Sequence, residues 1–285
     1  MDRERRNFAL WLTAPVVLGL LALLLYPTIS LLVLSFRSPS GEGPATAGTI
    51  LSVLGSPAFW VNTWTTVKFT LLSTAISFVL GFSLAYAMEV VEKGHSFFLT
   101  VFILPMAFMP VAAALTWRTI YDPTFGILNH LLGSLGIGPV LWTTSPDMAL
   151  WSVVIVDVWQ WTGFCFLILH AGFRSLPKDT HEAAIMDGAS PLQELMTITI
   201  PMLVNVFIIT LIFRFMDAFK AFDSIYVLTQ GGPGNATETL VIRAYKEAFQ
   251  FYNPAVTAVI GLWLLIFTIA CTRYAGNRIA RGDVK

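Results

Sequence analysis

Glu182-Ala183-Ala184-Ile185-Met186-Asp187-Gly188, followed by Ile198-Thr199-Ile200-Pro201, is a polar island between two long apolar runs, 148–173 and 202–228. Its local chemistry predicts two short helices with a sharp break. Asp179 is placed to cap the first, with Glu182 three residues on as its reciprocal partner. Gly188 is placed to stop it, because glycine alone takes a positive φ cheaply. Ser190 is placed to cap the second, with Pro191 at the first helical position and Gln193 completing the box. Ala183 and Ala184 leave a face poor in side chains, on which another protein can lie close. The island is too polar to span a membrane and too structured for a floppy linker. From these residues alone, it is either a docking element or a helix pair that merely connects two spans.

The surrounding composition says what the island interrupts. Apolar residues make up 56% of the 285 and charged residues 12%, against about 25% charged in a typical soluble domain. That excludes an ordinary globular enzyme. The formal net charge is zero, so a nucleic-acid partner has no electrostatic support. A helix needs about 20 apolar residues to cross hydrocarbon. Six runs suffice: 8–36, 61–91, 97–120, 148–173, 202–228 and 254–274. The reading is an all-α membrane protein, one transmembrane domain over 1–285. The first run follows Arg3, Arg5 and Arg6 in the charge order of a signal peptide. It is longer than the usual apolar region of one and no clean cleavage site follows, so it reads as a retained span. Cys165 and Cys271 lie inside apolar runs and read as free packing residues.

Lysine and arginine orient the spans. Arg3, Arg5, Arg6, Lys93, Arg174, Lys178, Arg273, Arg278, Arg281 and Lys285 fall on one side; Arg37, Arg118, Arg243 and Lys246 fall on the other. Ten against four puts both termini, and the 174–201 island, in the cytoplasm. Two loops then face outward. The 121–147 loop carries the turn signal Asp122-Pro123-Thr124-Phe125-Gly126. The 229–253 loop carries Gly231-Gly232-Pro233-Gly234-Asn235, then a short helix near 240–251.

The island resembles the EAA loop of binding-protein-dependent ABC transporter permeases: Glu-Ala-Ala, three residues, Gly, nine residues, Ile, one residue, Leu, Pro. Only Ile200 departs, standing where Leu is usual. A second stretch narrows the branch. Phe222-Asp223-Ser224-Ile225-Tyr226-Val227-Leu228-Thr229-Gln230-Gly231-Gly232-Pro233, with Thr237, Thr239 and Leu240, is similar to the segment after the fifth span of maltose-like and glycerol-phosphate-like sugar permeases. So is Asp122-Pro123 with Gly126-Ile127-Leu128-Asn129. The resemblance implies a type I ABC importer permease fold of six spans in a bacterial or archaeal inner membrane. It implies import of a sugar or sugar-like solute by alternating access. It implies four kinds of partner: a second homologous permease, a dimer of ATPase subunits, an extracytoplasmic solute-binding protein and membrane lipid. Glu182, Ala183, Ala184, Asp187 and Gly188 would contact the ATPase, and Gly231, Gly232 and Pro233 an outer partner. The Gly-Gly-Pro stretch also reads as an ordinary tight turn. The chain holds no GxxxxGK[ST] loop, so ATP and Mg are expected on the partner, with no enzyme activity, cofactor or metal here.

Ionisable residues deep in the spans are functional candidates, since each costs at least ~2.5–3.5 kcal/mol near the bilayer centre. Asp157, Gln160, Trp161 and Phe164 share one face of the fourth span, and Arg214, Asp217, Ala218 and Ala221 one face of the fifth. Both sets sit near midspan. Carboxylate and amide oxygens accept sugar hydroxyls, and flat rings cover a sugar's C–H face. Arg214 reads two ways: as a fork for a phosphorylated or sulfonated sugar, or as an ion pair with Asp217 or Asp157. Lys220 and Asp223 are expected to pair or to snorkel. Lys68 has no local partner, and His170 and His181 stand isolated. The competing function is an ion-coupled secondary transporter of a small polar solute. It would want an inverted repeat, which the sequence does not display. An intramembrane enzyme lacks its His/Glu cluster or Gly-x-Ser-x-Gly elbow.

Overall fold

The computed structural model describes residues 3–38, 47–91 and 93–280. Arg281, Lys285 and Glu92 lie outside the described residues, as do the side chains of Arg3, Arg5, Arg6, Lys178 and Arg278. The elements run α1 (Arg3–Ser35), α2 (Gly48–Leu54), α3 (Pro57–Val90), α4 (His95–Ile103), α5 (Pro110–Ile120), α6 (Ile127–Ser134), α7 (Pro146–Arg174), α8 (Lys178–Met186), α9 (Pro191–Glu194), α10 (Ile200–Phe219), α11 (Asp223–Thr229), α12 (Leu240–Phe249) and α13 (Pro254–Ala280). No strand occurs among the described residues. Hydrocarbon offers backbone N–H and C=O no partner, which favours helix throughout.

Among the described residues, five helices are long and apolar enough to cross a membrane: Trp11–Ser35, Pro57–Val90, Pro146–Arg174, Pro191–Phe219 and Pro254–Tyr274. A further pair, His95–Ala107 and Pro110–Ile120, is apolar enough only when taken together and is bent by 95°, as a broken span or a re-entrant loop is. The sequence reading expects one straight helix over 97–120. Two prolines prevent it. Pro105 lies in a 3₁₀ turn over Leu104–Ala107, and Phe108 and Met109 are extended, as the residue before a proline prefers.

The fifth span also differs from expectation at both ends. It stops at Phe219, and residues 223–229 form the separate α11. At its start, α9 does not end as a free loop helix. It continues through a widened π turn, Leu195–Thr199, into α10. The wide turn sits directly before Pro201, whose ring and missing N–H do not fit a regular helix at that point.

The chain divides into two compact units, whose boundaries fall inside or beside helices. The first comprises 1–60 and 243–266. Within it Phe59, fully buried, packs edge-on against Trp60 and Trp263 at 5.4 and 5.8 Å. Thr49 donates to the Arg37 carbonyl at 2.7 Å. The second comprises 61–242 and 267–285. It contains two cores. One joins Phe69, Ala114, Val153, Val154, Val156, Ala218, Ile225 and Leu228. The other joins Ala85, Met88, Cys165, Phe166, Leu169, Phe173 and Leu203.

Within the second unit, α7 is the central helix. Gly163 lets α4 lie against it: a Cβ there would stand 2.4 Å from the Phe102 carbonyl oxygen. The 121–147 segment is folded on itself. Asp122 Oδ1 accepts from the amides of Thr124 and Phe125 at 2.8 and 3.1 Å, which makes the expected turn. Asn129 donates to the Val140 carbonyl at 3.0 Å and accepts from the Val140 amide and the Trp142 indole. Tyr121 donates to the Ser152 carbonyl at 3.0 Å, and burial pushes its phenol above the usual range.

Candidate functional site

The 174–201 island forms the two-helix element that its sequence predicts, with one correction. Asp179 does not cap α8. The N-cap is Pro177, extended at φ −63° and ψ 129°, and Asp179 lies in the first turn instead. Proline's fixed φ suits the entry into that turn, and the Asp179 charge still complements the helix dipole. Ser190 caps α9 with a complete box: its hydroxyl accepts from the Gln193 amide at 3.3 Å, and its own amide donates to Gln193 Oε1 at 2.8 Å. Gly188 closes α8 at φ +72° with open space around it.

Glu182, Ala183, Asp187 and Gly188 are exposed, while Ala184 is buried at 4%. Ile185, Met186 and Leu192 are exposed beside them, at 58%, 86% and 63%. This is an apolar patch on a polar loop, of the kind that marks a protein contact. The two arms are tied: His181 Nδ1 meets Glu194 Oε1 at 2.5 Å, so His181 is not isolated.

In the spans, the two predicted faces come together through Arg214. Its guanidinium is fully buried. Nη2 donates to Asp157 Oδ2, Nη1 to Asp217 Oδ2 at 3.3 Å, and Nε to Ser77 Oγ at 3.4 Å. Of the two pairings left open by the sequence, both are present. Asp157 is almost fully buried, whereas the Asp217 side chain is 41% exposed. One guanidinium faces two carboxylates, and the exposed one is Asp217. Asp157 is well inside α7, but Arg214 stands only five residues from the end of α10 at Phe219, not at midspan.

Gln160 is not free either: Nε2 donates to the Phe108 carbonyl at 2.9 Å, filling an acceptor exposed by the break before Pro110. Trp161 and Phe164 are half-buried and meet edge-on at 6.4 Å. Ala218 is buried and Ala221 half-buried.

The sequence reading missed Ser77. The signal was present: Thr66, Thr70, Ser73 and Ser77 are all buried, at spacings of four, three and four along α3, which is one helix face. Thr66 Oγ1 also accepts from the Leu240 amide at 2.9 Å. Lys68 has a local partner after all, its amine lying 5.9 Å from the Trp64 ring centre. Lys220 and Asp223 are both exposed, and no ion pair joins them among the described residues.

The Gly231-Gly232-Pro233 stretch is a tight turn stapled from inside. Thr237 donates to the Gly232 carbonyl at 2.8 Å, and its hydroxyl lies 2.7 Å from that of Thr229. Gly231 is buried and Gly232 and Pro233 half-buried. Just beyond, Glu238 accepts from Asn62 Nδ2 at 2.8 Å. Among the described residues, no group of three or more His, Cys, Asp or Glu side chains could hold a metal ion.

Known proteins place this architecture. The family described as "Binding-protein-dependent transport system inner membrane component" matches residues 5–275. The trehalose/maltose transport system permease protein MalF of Thermococcus litoralis is 38% identical over 226 residues, covering 77% of this chain and 75% of that one. The sulfoquinovosyl glycerol transport system permease protein SmoG of Agrobacterium fabrum is 27% identical, covering 95% and 90%. A chain from a bacterial ABC transporter that imports the acidic polysaccharide alginate superposes with a TM-score of 0.86 at 21% identity, covering 98% and 97%. With its apolar crossings and the EAA-type loop, the chain belongs to the binding-protein-dependent family of inner-membrane transport components, as a multi-pass ABC permease of the type I importer fold.

Proposed function

We propose that this chain is one of two membrane subunits of an ATP-driven importer for a sugar or sugar-like solute. The solute is handed over by an extracytoplasmic binding protein and released into the cytoplasm. ATP is hydrolysed by a separate pair of subunits. The observation that carries this reading is the exposed face of α8 and its αL break, Glu182, Ala183, Asp187 and Gly188, flanked by Ile185, Met186 and Leu192. A rigid, capped, apolar-edged loop on a membrane protein is a surface built for a partner that pushes. The relatives support the solute class: the names of MalF and SmoG refer to a disaccharide and a sulfonated sugar derivative.

Asp157, Gln160, Trp161, Phe164, Arg214, Asp217, Ala218 and Ala221 line the solute route in this reading, with Asp217 the charged group nearest to solvent. A carboxylate facing lipid is costly, so that face of α10 meets water, solute or a polar partner. An acidic solute would have to draw Arg214 away from Asp157. Gly231, Gly232 and Pro233 hold the outer loop in shape for the binding protein.

The test is capture of this chain from its own membranes, then reconstitution in liposomes. It should bring down an ATPase and a second permease, and hydrolysis should rise with the loaded binding protein. Replacing Gly188 by Val forces a β-branched residue to positive φ. Assembly should survive, and stimulated hydrolysis and uptake should fall at least about tenfold, the effect of ~1.4 kcal/mol of lost coupling. Uptake by the chain alone, or full stimulation in Gly188→Val, would refute the reading.

A further inference from the structure

Three titratable side chains meet at the end of the bundle where α7 leads into the coupling loop, and the importer reading leaves them unused. Glu89 comes from the last turn of α3, His95 from the first position of α4, and His170 from the last turns of α7. His170 Nδ1 lies 3.5 Å from Glu89 Oε1. The two imidazoles are 5.3 Å apart between ring centres. His170 is held flat against Phe166, at 5.5 Å and 12°. Both His95 Nε2 and His170 Nδ1 are buried without a hydrogen-bond partner. Buried polar atoms are almost always paired, so two unpaired ring nitrogens in one cluster mark a place where something is expected to bind. A proton is the smallest such ligand, and imidazole is the side chain that takes one near neutral pH.

We propose that Glu89, His95 and His170 form a proton-operated latch at the root of the coupling loop. Adding a proton makes the His170 ring a cation with an N–H at Nδ1, whichever nitrogen held the first proton, and its charge faces the Glu89 carboxylate across 3.5 Å, so the gap closes into an ion pair. The charged groups that face His170 are Glu89 from α3, His95 from α4 and Arg174 on its own helix. Of these, only Glu89 attracts the added charge. The closed pair ties the end of α3 to α7 four residues before Arg174. Beyond that lie the Ser175–Leu176 turn, Pro177 and α8. Force entering through α8 must move the end of α7. A latched α7 resists that movement, so acidification on the loop side slows transport.

The inference rests on the importer reading, and on that end of the bundle facing the cytoplasm. The experiment uses the assembled transporter in liposomes, with ATP and pH controlled on the loop side. Solute-stimulated hydrolysis is followed from about pH 8 to about pH 6, across the imidazole range. The native complex should lose rate towards the acid end of that range. His170→Gln, which keeps a polar side chain but cannot titrate, should flatten the profile while keeping the rate at the alkaline end. Glu89→Gln, which removes the latch's acceptor, should flatten it as well and serves if His170→Gln does not assemble. His95→Gln should keep the fall, since His170 still titrates. An acid fall that persists unchanged in both His170→Gln and Glu89→Gln overturns the latch, as does a native complex whose rate does not change with pH. Loss of stimulated hydrolysis at the alkaline end in the native complex is a different failure, that of the importer reading itself.

Discussion

At the scale of single residues, Arg214 decides most. Among the described residues it is the largest fully buried side chain, and it meets two carboxylates and a hydroxyl. Removing one partner of a buried ion pair strands the other, at about 3–5 kcal/mol. Arg214→Met should therefore lower the thermal stability of the purified complex sharply, because Asp157 is left buried and unpaired. Adding Asp157→Leu should restore most of that loss. Adding Asp217→Leu to Arg214→Met should restore little, since Asp217 is already 41% exposed. Melting curves for the three variants decide it, and recovery with Asp217 alone would contradict the geometry. The faces of α7 and α10 were legible from spacing. Which carboxylate would be buried was not, because spacing along one helix does not report what stands opposite. Ser77 shows this: it lies on a third helix, 137 residues from Arg214.

At the scale of elements, the packing of α4 on α7 depends on the close approach of Phe102 to Gly163. Gly163→Ala places a methyl 2.4 Å from that carbonyl. Overpacking of this kind costs about 1–3 kcal/mol. The same change at Gly133, where nothing lies within 4 Å, should be close to neutral. Comparing the melting temperatures of the two variants tests the contact directly. Five of the six apolar runs are single long helices, as run length alone predicts. Pro105 and Pro110 were visible too, but the 95° angle depends on what the bent halves pack against. The Ser190 box and the Gly188 stop were legible because both are local, set within four residues. Asp179 failed as a cap because Pro177 entered the turn first. The join of α9 to α10 was hidden for the opposite reason: polar residues filled the start of a helix that runs on into the membrane.

At the scale of the whole molecule, orientation is the property on which every role depends. The orientation proposed from the Lys and Arg count, both termini inside, predicts that a cysteine placed at Ala183 reacts with a membrane-impermeant maleimide only from the inside. One placed at exposed Thr144 should react only from the outside. The native Cys165 is buried and should stay silent. Reversed labelling would detach the loop from any cytoplasmic ATPase. The widened turn at Leu195–Thr199 bears on the same scale. It holds one residue more than a regular turn needs, which corresponds to about 100° of winding. The helix from Pro191 to Phe219 is in effect a screw with one spare notch in its thread, cut between the 174–201 loop and the Arg214 junction. Its two ends are therefore not bound to turn together, and twist applied at the loop has a place to be taken up before it reaches the charges.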